Sequence, residues 1–352
     1  MTIRLIHVGV GVRGRHWLDV VALHGDFTSV AYVDSSDRAL AAVRAHSQSE
    51  RGRFFTDLPT ALSQVEADAV LIASPTPLHA RHAIESLEAG LAVLVEKPIA
   101  VGLADAVAVV ERSRAVGRPV VVAENYRFFP AERTLHRLLA DGIAGQLASA
   151  VCVDCRDQPA RTQGPWVKSM RHPFLTEIAV HHFDSFRYLF GTHPTSMLVT
   201  SHNPPGSTYD QNAATQALIE LEPGFPIQYS GTMIATRYEF ELWIEGEKGE
   251  LWTDRRRVRW RPGGRNRFHT CMPVPVPAGD ELPYPKAGTV SLLNQFRDAV
   301  RHGAKPETGA DDNLWTVAMV EAGIVSDRDG RKVMIDEVFT PALKRRAGLM
   351  AT

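Results

Sequence analysis

Gly9, Gly11 and Gly14 form a Gly-x-Gly-x-x-Gly pattern directly after the apolar run Ile3 to Val8. This spacing suits a dinucleotide pyrophosphate laid against the start of a helix. The first glycine permits the tight turn, the second lets backbone approach the phosphates, and the third lets strand and helix pack closely. The helix start offers unpaired amides and a partial positive charge, so Val12 and Arg13 join the glycines as expected cofactor contacts. Asp34, twenty residues after Gly14, ends the next apolar run. Its carboxylate would bind the adenosine ribose hydroxyls and repel a 2′-phosphate. The reading is NAD, with NADP less favoured; Arg13 and Arg38 are the cations that argue the other way.

Two more turns carry chemistry-bearing residues. Ser74-Pro75-Thr76-Pro-Leu-His79 follows the run Ala69 to Ala73, and Glu96-Lys97-Pro98 follows Ala92 to Val95. In an open α/β sheet, ligands bind beyond the carboxyl ends of the strands, so both turns are expected to face one crevice. Lys97 emerges straight from an apolar run. That suits a cation touching cofactor or substrate, the alternative being a structural salt bridge.

The elements that must position these turns alternate in type. Strand-like runs at Ile3 to Val8, Ser29 to Val33, Ala69 to Ala73, Ala92 to Val95 and Val120 to Ala123 are separated by helix-like segments. Repeated strand–helix units predict a doubly wound parallel sheet of the Rossmann type. After Asn125 the character changes. A helix near Ala131 to Ala140 precedes long alternating stretches: Ala148 to Arg156, Ala213 to Leu221, Ile227 to Thr236, Tyr238 to Glu245 and Glu250 to Trp260. These predict a large, mostly antiparallel open sheet in a second α/β domain. Helices are expected over Phe174 to Phe190, Val290 to His302 and Asp312 to Asp327. The division is therefore residues 1–125 and 126–352.

Composition narrows the classes. A chain of 352 residues suits about two domains. Lys plus Arg number 39 and Asp plus Glu 40, which argues against a nucleic-acid partner. No run of 18 apolar residues or secretory pattern occurs, so neither a membrane span nor export is expected. Three cysteines do not make a disulfide framework and fit a reducing, cytoplasmic setting. Cys152 and Cys155 would lie on opposite faces of a strand, so no metal site is expected. Seven arginines between Arg255 and Arg267 read as a solvated face or subunit contact, or else as an anionic-substrate or nucleic-acid patch. The six prolines of residues 262–288 predict a surface loop, a lid or a subunit arm.

The glycine motif, Asp34, the two turns, Asn125-Tyr126-Arg127, Gly142-Ile-Ala-Gly145 and Glu177-Ile-Ala-Val-His181-His-Phe-Asp184 together resemble the Gfo/Idh/MocA oxidoreductases. That family includes inositol dehydrogenases and glucose–fructose oxidoreductase. The likeness covers most of the chain and is most specific over the first 190 residues. It implies a Rossmann domain binding NAD, with Asn125 added to the contacts, and a C-terminal α/β domain. It also implies a sugar, sugar acid or cyclitol substrate, and a homodimer or homotetramer formed through the C-terminal sheet.

Matched position by position, the family's lysine falls on Lys97 and its helix-borne histidine on His181. The aspartate usual four residues earlier is Glu177 here, and the glycine two residues earlier is Ala179. Glu177 and His181 stand at i and i+4 on one helix face. His181 would take a hydroxyl proton, Glu177 would orient it, and Lys97 would steady the developing charge on oxygen. Tyr126, Arg127, Arg156, Trp166, Arg171 and His182 complete the expected substrate contacts, with Lys168 and His172 in the same stretch. Asp184 is expected to pair with Arg187. The competing readings are a redox-neutral reaction that recycles NAD and an NAD-binding sensor without turnover.

Overall fold

A computed structural model describes residues 2–45, 52–283 and 286–350. Tyr284 and Pro285 of the expected proline-rich loop lie outside the described residues. The chain divides into two compact units. The first holds residues 1–125 together with 277–314 and 341–352; the second holds 126–276 and 315–340. Two later segments that the sequence reading assigns to the second domain thus pack with the first.

The first unit is built on six parallel strands: β1 (Ile3–Val8), β2 (Phe27–Val33), β3 (Arg53–Phe55), β4 (Ala69–Ile72), β5 (Ala92–Val95) and β6 (Val120–Val122). Their order is β3-β2-β1-β4-β5-β6, the doubly wound arrangement. All residues of β4, β5 and β6 are buried. Such unbroken apolar runs are what a sheet covered on both faces demands. Helices α1 (Val12–His24), α2 (Asp37–Arg44), α3 (Leu58–Gln64), α4 (His79–Glu88) and α5 (Leu103–Val116) connect the strands. Local signals set the ends of two of them. Ser36 caps α2 through the Ala39 amide, and Asp57 caps α3 through the Thr60 amide.

The second unit begins with α6 (Pro130–Ala140) and carries a nine-stranded sheet. Its strands are β7 (Leu147–Asp157), β8 (Pro194–His202), β9 (Ala214–Leu221), β10 (Phe225–Thr232), β11 (Ile234–Gly246), β12 (Gly249–Thr253), β13 (Val258–Pro262), β14 (His269–Thr270) and β15 (Val333–Met334). Among the described residues of this sheet, β10 and β7 pair in parallel and the other pairs are antiparallel. Along β7, Ala150, Cys152, Asp154 and Arg156 are buried and alternate with more exposed neighbours, as a strand period of two requires. Helices α7 (Pro165–Ser169) and α8 (Val180–Phe190) follow β7. In the later chain, α9 (Thr289–His302) belongs to the first unit.

Two elements differ from expectation. The stretch Glu250 to Trp260 is two strands, β12 and β13, because Asp254 accepts the Arg256 and Arg257 amides and turns the chain between them. The helix expected from Phe174 opens with a π turn at Leu175–Ala179, in which the Val180 amide reaches back to the Leu175 carbonyl. No helix among the described residues is long and apolar enough to cross a membrane.

Backbone packs closely on backbone in the first unit at Gly14. A Cβ there would stand 2.0 Å from the Gly9 carbonyl oxygen. Gly14→Ala should therefore lower stability by about 1–3 kcal/mol through overpacking, read as a fall in the thermal midpoint.

Candidate active site

In the first unit, the turns after β1, β4 and β5 are fixed at the carboxyl ends of the parallel strands. The ladder runs past the strands: Gly9 donates to Val33, Ala73 to Val8, Glu96 to Ile72 and Ala123 to Val95, at 2.7–2.8 Å. Gly9 has φ +82°, and a Cβ there would meet the Ser74 amide at 2.4 Å. The glycine turn and the Ser74 turn are therefore in contact, at the point where strand order reverses between β1 and β4.

The dinucleotide features fit that place. Gly11 is the N-cap of α1; no side chain bonds to the cap, no acid lies in the first turn, and a Cβ on Gly11 would meet nothing within 4 Å. The first amides of α1 thus face a cradle open to an anion. Asp34 accepts from the Val10 amide and the Ser36 amide, each at 2.9 Å. Its carboxylate is held on the glycine turn and remains half-exposed.

Several expected cofactor contacts hold the turns themselves. Glu96 is buried and accepts from Arg13 Nε at 2.5 Å and from Trp17 Nε1 at 2.7 Å. Burial works to raise the Glu96 pKa, but the charges of Arg13 and Lys97 outweigh it and hold the carboxyl below its usual range. His79 places its ring nitrogens 2.7 Å from the Pro98 carbonyl and 2.8 Å from the Ser74 carbonyl, clamping one turn to the other. Ser74 Oγ is shared with His82 Nδ1 at 3.0 Å. Asn125 donates to the Ala287 carbonyl at 2.8 Å and ties the 277–314 segment to the end of β6. Thr76 is buried, and Pro75 and Lys97 are half-buried.

In the second unit, the π turn carries Glu177 and α8 carries His181 and His182. A π turn is wider than an α turn, so residues four apart lie more nearly above one another. Glu177 is half-buried, and its charge helps burial raise the Tyr209 phenol pKa. The His181 ring stacks on Tyr126 at 4.1 Å between centroids and 11° between planes. His182 is fully buried and shares a 2.6 Å hydrogen bond with the Tyr229 hydroxyl.

Two of the expected substrate arginines, Arg127 and Arg156, are committed to partners. Arg127 makes a two-pronged bond to Asp184, both distances 2.6 Å. Asp184 also accepts from Thr316 at 3.2 Å, whereas Arg187 stands 3.9 Å away. Asp184 thus keeps the expected ion pair with Arg187, and its closest partner is Arg127. Arg156 bonds Asp154 at 2.6 Å and donates to the Tyr126 hydroxyl at 3.1 Å. Trp166 lies over Gly164 with its indole N–H buried and unpartnered, and Arg171 and Lys168 are exposed.

Sequence reasoning missed Glu132 and Arg255. Arg255 stands at φ +64°, the only positive value at a non-glycine among the described residues. That backbone costs about 1–2 kcal/mol. It takes Arg255 out of the exposed arginine run and buries its guanidinium against Glu132 at 2.8 Å. The same guanidinium lies 4.1 Å from the Tyr126 ring centre and 3.7 Å from that of Phe240. Burial raises the Glu132 pKa even against the Arg255 charge.

A model of the NAD-binding Rossmann fold of an oxidoreductase family matches residues 3–124, and the model of its C-terminal α/β domain matches residues 138–335. The chain belongs to the Gfo/Idh/MocA oxidoreductase family. It is an oxidoreductase with an NAD-binding domain. D-apiose dehydrogenase of Paraburkholderia graminis is 29% identical, covering 82% of this chain and 79% of its own. Inositol 2-dehydrogenase 1 of Saccharopolyspora erythraea is 28% identical, covering 97% and 99%. The crystal structure of the WlbA dehydrogenase from Bordetella pertussis, in complex with NADH and UDP-GlcNAcA, shares the fold with a TM-score of 0.82 at 23% identity, covering 95% and 99%.

Two outcomes follow from the buried groups. Arg127→Met leaves the Asp184 charge buried without its main partner. It should cost about 3–5 kcal/mol in denaturant unfolding, and adding Asp184→Leu should recover much of that loss. Burial, then the charges of Arg255 and Arg156, hold the His182 imidazole well below its ordinary 6.5. The unfolded state then binds the extra proton. Stability is complete above about pH 6.5 and falls as pH drops below it, by at most about 1.4 kcal/mol per pH unit for this group. His182→Gln should remove that share of the acid sensitivity, measured as unfolding free energy against pH.

Proposed function

We propose that the protein is an NAD-dependent dehydrogenase that oxidises a secondary hydroxyl of a sugar, sugar acid or cyclitol. The observation that carries this reading is the pair of retained positions, Lys97 directly after β5 and His181 on α8 with its ring plane set against Tyr126. A sensor that only binds dinucleotide has no need of a base. The relatives named D-apiose dehydrogenase and inositol 2-dehydrogenase support the substrate class.

NAD, when bound, supplies a hydride acceptor; Gly9, Gly11, Val12, Arg13, Gly14, Asp34, Ser74, Pro75, Thr76, His79, Glu96, Lys97 and Asn125 form or brace its cradle. His181 takes the hydroxyl proton at a ring nitrogen as the carbinol C–H is lost. Glu177 supports the charge that His181 gains. Lys97 donates to the same substrate oxygen and steadies it as it becomes a carbonyl. Asp34 favours NAD over NADP by repelling a 2′-phosphate. The remaining substrate contacts are Tyr126, Trp166 and Arg171. Arg127, Arg156 and His182 act mainly by holding their neighbours, as their bonds indicate. The sheet face bearing exposed Val151, Leu198 and Leu218 supports a homodimer or homotetramer.

The test is NADH absorbance with NAD and a panel of sugars, sugar acids and inositols. Wild type should reduce NAD with at least one class, and Lys97→Ala and His181→Ala should each lose about 100-fold or more in kcat. NAD binding without NADH from any compound would contradict the reading. Asp34→Ser should shift the NAD to NADP ratio of kcat/KM toward NADP by about tenfold or more.

A further inference from the structure

The side chains behind His181 form an ordered series. Glu132, on α6 and 3% exposed, holds Arg255 Nε at 2.8 Å. Arg255 is pinned by its own backbone: its amide donates to Thr253 Oγ1 at 3.0 Å and its φ is positive. Its guanidinium lies between the rings of Tyr126 and Phe240. Tyr126 in turn stacks on His181. An imidazole and a guanidinium each centred 4.1 Å from one phenol ring do not fit on the same face, since their atoms would overlap. They take opposite faces, and Tyr126 is the layer between them. The rim of that ring is fixed as well, because Arg156 donates to its hydroxyl at 3.1 Å and is itself held by Asp154.

We propose that Arg255 is a positioning residue for His181, acting through Tyr126: the guanidinium fixes the plane of the phenol, and the phenol fixes the plane of the imidazole. The catalytic part of this inference rests on the reading of His181 as the proton acceptor; the positioning part does not. A proton acceptor works only when its ring nitrogen is aimed, and errors near 1 Å cost large factors in rate. A cation over a phenol face is attracted to the ring and needs no hydrogen bond from it, so the Tyr126 hydroxyl remains available to Arg156. The strained backbone at Arg255 has a consequence consistent with this role. It redirects one arginine of a largely solvent-facing run onto an aromatic ring that stacks on His181.

The experiment combines kinetics with the ring-proton resonances of His181, assigned by comparison with His181→Gln. In the wild type, stacking on Tyr126 should shift the His181 ring protons upfield. Arg255→Met should move them back toward unstacked values, as should Tyr126→Leu. In Arg255→Met, kcat should fall about tenfold or more with KM changed less than about threefold. Arg255→Lys keeps a cation over the ring, so it should restore most of both readouts. Unshifted His181 protons in the wild type would overturn the proposal without any Arg255 or Tyr126 variant having to fold. It would also be overturned if Arg255→Met left the resonance in place, whatever happened to kcat. A shifted resonance that responds to Arg255, in a protein that reduces no NAD, would uphold the positioning and reject the dehydrogenase reading instead.

Discussion

A charge taken out of water costs several kcal/mol unless another charge and good hydrogen bonds meet it. Four arginine–carboxylate pairs satisfy that constraint here: Arg13–Glu96, Arg127–Asp184, Arg156–Asp154 and Arg255–Glu132. Each fixes something beyond itself. The first secures the turn that presents Lys97. The second joins the segment after Asn125 to α8. The third and fourth hold Tyr126 by its rim and its face. Buried pairs of this kind add little net stability, and their value lies in setting geometry. Removing one partner leaves an uncompensated charge, so each arrangement persists as a unit.

The parts of this organisation that depend on local chemistry were legible in the sequence. Apolar runs of four to six residues ending in glycine, serine or glutamate turns announced the parallel sheet, since strand burial and turn type are decided by neighbours along the chain. The glycine spacing and Asp34 were legible for the same reason: a helix start that must receive phosphates admits few alternatives. The resemblance to the oxidoreductase family then placed Lys97 and His181.

The remainder depends on partners distant in sequence. Arg127 reads as a substrate contact until Asp184, on α8, is seen to hold both its prongs. Asn125 reads as a cofactor contact, but its amide reaches Ala287 in a segment that returns to the first unit. Arg255 was concealed within a run of arginines, where alternation suggests a solvated face. No pattern of neighbours signals that one of them adopts a left-handed backbone and turns inward to Glu132. The π turn at Leu175–Ala179 is equally silent, because a helix composition does not distinguish a turn one residue wider. Family membership, by contrast, needed only the motifs and is supported along both domains.

The central claim is that a substrate carbinol hydrogen leaves as hydride and a nitrogen of His181 receives the hydroxyl proton. The most direct measurement follows the hydrogen itself, using a sugar or cyclitol substrate deuterated at the reacting carbon and mass analysis of the recovered dinucleotide. The account predicts one deuterium per turnover in the reduced dinucleotide, matched by a ketone product. Product formation with unlabelled, oxidised dinucleotide and deuterium retained in the sugar would contradict it and show that net oxidation is not the reaction.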